Sequence, residues 1–571
     1  MFDTLPARQA DFANWSWAQI EPYANDLLSR PLTAASVDQW LADWTRLSNL
    51  IDETYNRRYV ATTLDTTDKN SVESFHSYLA EVVESAQVME DQLNKKLLAS
   101  NLEPKGFEIQ LRNMRADADI FRAENVSLGT DLQKIGTEYD QTIGAQTVQW
   151  EGEEKTLTQM KPFLHSDDRA LRESVWKAIS ERRLADRTKL NEIWGRMLPI
   201  RLKMAANAGQ ETFRDLQWKA FKRFDYTPAD CETFHRAIEA VVVPAATRVY
   251  ERQRQQLGVP TLRPWDLDRD DVYPPSRPPL HPFTDVTDLE YKTEAIIRNV
   301  DPVLADRVKL MREEKLLDLA NRKGKAPGGY QTDFAASKRP FIFMNAVGLH
   351  DDVQTMLHEA GHAFHSFEMH GLPYSQQKEI TSEIAEVASM SMELLAAPYL
   401  EKKYGGYYTE SEAAHARIEH LEHIILFWPF MAVVDAFQHW VYTHPTQAAD
   451  AANCDAVWGD LWARFIPGVD WSGLEDARVT GWHRKLHIFQ IPFYYVDYGL
   501  AQVGALQVWR NSLTDTSRAV QQYRYALSLG VTRPLPELFA AAGAKFAFDE
   551  ATMRDLVTLI EGTIDDLRAK A

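Results

Sequence analysis

Two histidines four residues apart, with a glutamate directly after the first, form the segment Leu357-His358-Glu359-Ala360-Gly361-His362 in a chain of 571 residues. Four residues turn a helix by about 400°, so His358 and His362 project from one face a turn apart and both reach a single metal ion. Glu359 stands beside them, placed to take a proton from a water that the ion activates. The pattern should arise by chance roughly 0.03 times in a chain of this composition, so a helix that merely packs two histidines is the weaker reading. A hydrolytic zinc site needs a third protein ligand. His365 and Glu368 stand where the long metzincin motif has glycine and histidine, which excludes that class.

The third ligand must then come from a following segment. Glu379, Glu383, Glu386 and Glu393 are spaced four, three and seven apart, near one stripe of a helix. Ile384, Ala385, Val387, Ala388, Met390 and Met392 stand between them, with no Lys or Arg to pair with them. A carboxylate in such company must be paired, hydrogen-bonded or metal-bound. Glu386 is the expected ligand, and Glu383 and Glu393 are rivals or groups that orient a ligand histidine through its other ring nitrogen. His365 lies two turns from His358, too far for the same ion, and is expected to line a cleft. His483 and His487 repeat the four-residue spacing around Arg484 and Lys485 without a glutamate after His483, so no second metal is expected there. His420 and His423 read as solvated or interfacial.

Mostly helical elements must position these groups. From about Ala34 to Met114, apolar residues recur at three- and four-residue spacing, as in Val72, Phe75, Tyr78, Leu79, Val82 and Val83. Residues 146–159 break that pattern and read as a hairpin turning at Glu151-Gly152-Glu153-Glu154. Ser166, Asp167 and Asp168 open another long helix. Seven prolines between Pro260 and Pro282 exclude helix over Val259–Phe283, which reads as a surface connection. The turn from Arg322 to Tyr330 lacks the Gly-Lys-Ser/Thr ending of a phosphate cradle and reads as a mobile loop at a cleft mouth. Arg339–Asn345 looks like a short strand, and helical patterning continues almost to the end.

Composition narrows the partners. A net charge of −19 argues against nucleic acid or an anionic membrane surface. Hydrophobic residues at 45% exclude disorder, and the length predicts at least two lobes. Only Cys231 and Cys454 occur, so no disulfide framework exists and a reducing, cytoplasmic setting is expected, with no secretory leader in the first residues. The longest charge-free apolar run, Ile424–Val434, contains Pro429 and is too short to span a bilayer.

His358-Glu359-Ala360-Gly361-His362-Ala363-Phe364-His365, followed by Ile384-Ala385-Glu386-Val387-Ala388-Ser389, resembles the oligoendopeptidase F branch of the thimet oligopeptidase family of zinc metallopeptidases. Phe213-Arg214-Asp215, Arg223-Phe224-Asp225-Tyr226-Thr227-Pro228, Arg263-Pro264-Trp265-Asp266-Leu267 and the Gly328-Gly329-Tyr330 loop extend the resemblance over most of the chain. It implies one zinc ion held by His358, His362 and Glu386, with Glu359 catalytic. It further implies a mainly α, two-lobed helical zincin of the gluzincin type, with a small β-sheet beside the active-site helix and lobes enclosing a peptide channel. The expected division is an N-terminal helical lobe over 1–200, carrying the hairpin, and a catalytic domain over 201–571. The loop at Gly328, Gly329 and Tyr330 would bind substrate. In His487-Ile488-Phe489-Gln490-Ile491-Pro492-Phe493-Tyr494-Tyr495-Val496-Asp497-Tyr498, the resemblance gives His487, Tyr494 and Tyr498 catalytic roles and Tyr495 a place in substrate binding. Pro492 suits a helix's first turn, which would put Tyr494 and Tyr498 on one face as oxyanion donors.

The leading expectation is a zinc oligoendopeptidase cutting internal bonds of short peptides, with strand Phe341–Asn345 pairing the substrate backbone. A metallocarboxypeptidase on a similar helical fold would need a cationic group, such as Arg484 or Lys485, for a free C-terminus. A catalytically silent peptide-binding scaffold would have no use for Glu359.

Overall fold

The structure, a computed structural model, describes every residue except 268, 275–279, 323 and 327, and leaves the side chains of 137, 158, 269 and 270 undescribed. Parts of the proline-rich connection and of the Arg322–Tyr330 turn therefore lie outside the described residues. The protein is 71% helical with two small sheets. Its contacts group into two compact units, each assembled from three stretches: Met1–Ala118, Leu280–Ala413 and Gly504–Phe546 form one, and Asp119–Pro279, Ala414–Val503 and Ala547–Ala571 the other.

In the first unit, α1 (Val37–Leu64) buries Trp40, Leu41, Trp44 and Leu47 in a core shared with Leu93 and Leu97 of a following helix and with Phe107. In the second, β1 (Thr147–Trp150) and β2 (Glu153–Thr156) form the expected hairpin, with left-handed turn residues Glu151 and Gly152. A helix over Leu157–Leu164, capped by Thr156, follows at once and takes in residues read as hairpin, and the helix expected to open at Ser166 starts at Arg169, because the Asp168 carboxylate accepts the amides of Ala170 and Leu171. The proline-rich segment holds a 3₁₀ turn, Pro264–Asp266, and a one-turn helix, Arg269–Val272, where none was expected. This unit also contributes α2 (Pro228–Ala237), opened by Pro228 and a Thr227–Asp230 capping box.

The chemistry-bearing elements of the first unit follow a three-stranded sheet of order β3 (Leu317–Ala320), β5 (Arg339–Ala346), β4 (Tyr330–Phe334). β5 is parallel to β3 and antiparallel to β4. The strand expected to pair a substrate is thus the central one, with both edges used; the edge strand on that side is β4, whose Asp333 carbonyl accepts from the Asn56 side chain at 2.9 Å. From β5 the chain passes into α3 (His350–Met369). The Asp352 carboxylate starts that helix by accepting the amides of Val347, Gly348 and Leu349 at 2.8–2.9 Å.

Against α3 lies α4 (Ser382–Ala396), so Glu379 falls before the helix and not on its stripe. Gly361 sets the approach. A Cβ there would stand 2.6 Å from both the Ala388 carbonyl oxygen and the Ser389 Cα, with no flexible side chain to move aside. The Tyr523 hydroxyl, from α8 (Thr516–Ser528), donates to that same Ala388 carbonyl at 2.9 Å. The remaining helices used below are α5 (Glu410–Thr443), α6 (Leu486–Gln490) and α7 (Tyr495–Ser512). α5 is long and apolar enough to pass a membrane-span test, but 83% of its apolar window is buried in protein. Replacing Gly361 by Ala should lower stability by about 1–3 kcal/mol through overpacking and weaken metal binding by separating α3 from α4; urea unfolding and chelator competition measure the two effects.

Candidate metal centre

The i, i+4 pair on α3 and one carboxylate from α4 meet as the spacing predicted. Nε2 of His358 is 3.3 Å and Nε2 of His362 3.7 Å from Oε2 of Glu386, and one ligand atom from each of the three residues lies within 4.8 Å of the others. The two imidazole rings stand edge-on, 4.9 Å between centroids. Two ring nitrogens and a carboxylate oxygen are a donor set that Zn²⁺ takes.

Glu383 and Glu393 separate here. Glu383 occupies the first turn of α4 and is no part of the converging group. Glu393 reaches back along α4 and pairs with Nδ1 of His358 at 2.6 Å, which leaves Nε2 as the nitrogen aimed at the shared centre. Ser389, which the sequence reading passed over, donates its hydroxyl to Oε2 of Glu386 at 2.9 Å. Its signal was its position three residues after Glu386, on the same face.

Glu359 is 7% exposed, and its Oε2 has no hydrogen-bond partner among the described residues. Burial, reinforced by the Glu386 and Glu393 charges, pushes its carboxyl up to about 7, although His358 and the Gln331 backbone amide of β4 favour the anion. Burial also drives His362 down to about 4. For His358 burial acts the same way, but its hydrogen bonds to Glu386 and Glu393 outweigh it and hold the metal-free ring above its ordinary range. Glu386 loses stability as an anion through burial, yet His358 and His362 keep it below the usual carboxylate range. His365 does not line a cleft: it is 1% exposed, both ring nitrogens lack partners among the described residues, and burial lowers it to about 3.

The Gly-rich loop is tied down where it is described. Asn345 donates to the carbonyls of Ala326 and Gly328, and the Lys325 ammonium is enclosed by the carbonyls of Asp318, Ala320 and Met344. Gly328 adopts φ +94°, and a Cβ on Gly329 would sit 3.4 Å from Thr355, one turn before His358 on α3. Tyr330 stacks on Phe343 at 4.8 Å and bonds through its hydroxyl to Thr63 at 2.6 Å.

The C-terminal candidates form a cluster within the second unit. His487, on α6, has its ring 4.8 Å from Tyr495, 6.0 Å from Tyr494 and 6.3 Å from Tyr498. Tyr494 precedes α7, so Pro492 opens no helix, and Tyr494 meets Tyr498 at 5.3 Å through the turn. His483 is buried, with Nε2 2.8 Å from the Asn191 side-chain oxygen, and joins no metal-like group.

Residues 163–558 match the model of peptidase family M3. The oligoendopeptidase F homolog of Lactococcus lactis subsp. lactis (strain IL1403) is 22% identical over 443 residues, a match covering 70% of this chain. The chain spans 66% of that relative's length, just under two thirds. Two solved structures share the fold with TM-scores of 0.85: PZ peptidase A with inhibitor 2, 25% identical over 100% of both chains, and one named for oligoendopeptidase F, 27% identical over 100% of this chain and 99% of the other.

Two outcomes follow from the geometry. Replacing Glu393 by Gln should weaken zinc binding about 10–100-fold in a chelator competition, since the His358 ring loses its anchor. In the metal-free protein, the native state keeps the Glu359 proton that the unfolded chain releases, so this group lowers stability as pH rises from about 4.5 to about 7. Glu359→Gln should then equal the wild type below that window in urea titrations and exceed it above, by about 3 kcal/mol.

Proposed function

Because the chain belongs to peptidase family M3, we propose that it is a zinc-dependent oligoendopeptidase that hydrolyses internal bonds of short peptides. The observation that carries this reading is the meeting of His358, His362 and Glu386 beside a buried Glu359 oxygen that has no hydrogen-bond partner among the described residues. A zinc ion held by those three ligands would supply a Lewis acid that polarises the scissile carbonyl and acidifies a water.

The chain's own groups do the rest. Oε2 of Glu359 accepts the proton of the attacking water and returns it to the departing amine, a task open to a buried carboxylate oxygen that lacks a hydrogen-bond partner among the described residues. Glu393 and Ser389 fix the orientation of His358 and Glu386. The outer edge of β4, rather than β5, pairs the substrate main chain in extended form, which reads backbone and leaves side-chain preference loose. The Gly328-Gly329 backbone lets substrate approach α3 closely, while Tyr330 supports the loop. The family resemblance alone gives His487, Tyr494 and Tyr498 the oxyanion role and Tyr495 a hold on substrate; phenols suit that role because they are neutral at working pH. Two buried, unlinked cysteines fit a reducing cytoplasm.

The carboxypeptidase alternative needs a cation for a free C-terminus. Arg484 is committed to Asp271 at 2.8 Å, and the Lys485 ammonium lies over the Phe430 ring at 4.4 Å. Both candidates have structural employment.

The test is cleavage of a peptide length series with free and blocked ends. Wild type should cut end-blocked peptides internally, and Glu359→Gln should keep its zinc while losing activity 10²-fold or more, on the order expected for a general base. Full activity in Glu359→Gln would sink the mechanism, and cleavage lost only on blocking the C-terminus would favour the carboxypeptidase.

A further inference from the structure

A second set of metal-type donors lies in the core of the other compact unit. α2 carries Cys231 and His235, and α5 carries Asp435 and His439; each pair is four residues apart and so shares one helix face. One ligand atom each from Cys231, Asp435 and His439 lies within 4.8 Å of the others. Cys231 and Asp435 are 0% exposed and His439 5%.

The hydrogen bonding of this group is incomplete in a directed way. His235 Nε2 meets Asp435 Oδ2 at 2.8 Å and holds that carboxylate, but Oδ1 has no partner among the described residues. His439 Nε2 stands 3.3 Å from Oδ2 without the alignment of a hydrogen bond, and it too is unpartnered. Three different donor types thus converge in the dry interior, two of them with orphaned atoms, where each such atom costs free energy. We propose that Cys231, Asp435 and His439 form a structural site for a zinc-like divalent cation, with His235 orienting the Asp435 carboxylate.

The donor chemistry selects the ion. Sulfur and imidazole exclude magnesium and calcium and suit Zn²⁺ or Co²⁺. Binding releases the Cys231 thiol proton to solvent, and thiolate plus carboxylate then balance the two positive charges, which permits full burial. Without the ion, burial pushes the Cys231 thiol up and the His439 imidazole down, so a bound ion must displace the thiol proton but no imidazolium proton. His439 would bind through Nε2, and its remaining proton would move to Nδ1. That nitrogen now faces Arg214 Nη1 at 3.3 Å, so the guanidinium turns aside on loading and one long contact is lost. The gain is a cross-link between α2 and α5 in place of buried unpaired atoms.

Sulfur makes the site separable from the catalytic centre, whose ligands are nitrogen and oxygen only. Metal-free wild type titrated with Co²⁺ should take two equivalents per chain, one of them bringing a near-ultraviolet thiolate-to-cobalt charge-transfer band. Cys454→Ser should keep the band. Cys231→Ser should lose it, take one equivalent, and still regain peptidase activity, while melting at a lower temperature than cobalt-loaded wild type. Wild type that regains activity with one equivalent and no thiolate band overturns the proposal without reference to any variant. A band that persists in folded Cys231→Ser overturns it as well.

Discussion

The contact between Gly361 and the Ala388–Ser389 backbone is the constraint on which the rest of the catalytic unit depends. The ligands of a zinc ion stand about 2 Å from it, so two helices that are to share one cannot be separated by a layer of side chains. Only a residue without a Cβ lets α3 ride on the backbone of α4 at this point. One turn either way along the two helices, the same approach puts His358 and His362 against Glu386, Ser389 behind Glu386, and Glu393 behind His358. Tyr523 fixes the other side of the Ala388 peptide by taking its carbonyl, so α4 is held from both faces.

That closeness creates an electrostatic problem with one economical solution. Glu359, Glu386 and Glu393 are brought around two imidazoles with little access to water, and three carboxylates so placed repel one another. Protonation answers in part: His358 is held charged between two carboxylates, and Glu359 is pushed towards its neutral acid. A dication between the ligands removes the need for both adjustments. The functional groups are therefore destabilised by their own neighbours in a way that metal binding relieves, which is how a site holds affinity for an ion without giving up a reactive carboxylate.

How much of this was legible in the sequence follows from the range of each interaction. His358, Glu359 and His362 belong to one helical turn, and a spacing rule captures a turn. Glu386 was readable because apolar neighbours and missing cations marked its stripe, and Glu393 was readable only as one of two equals until the fold showed which reached His358. The place of β5 in the middle of its sheet was hidden, since β3 pairs with it across the Arg322–Tyr330 turn and no local pattern records a crossover. His365 was misjudged because helical phase says which way a side chain points but not what covers it. The compact units were invisible for the same reason: each is built from three stretches that are separated in the sequence by parts of the other.

The two donor groups also differ in the one property that divides catalytic from structural metal sites. At the first, the histidine side chains keep 25% and 20% of their surface, so an ion held there retains a face that substrate and water can reach. At the second, Asp435 and His439 keep 0% and 7%. An ion in the first position is useful because it is left incompletely enclosed; an ion in the second would be useful only by tying helices together. The two donor groups thus differ in burial, and on the proposed reading the packing around each group, more than its ligand types, would set a reactive ion between α3 and α4 apart from a cross-linking one between α2 and α5.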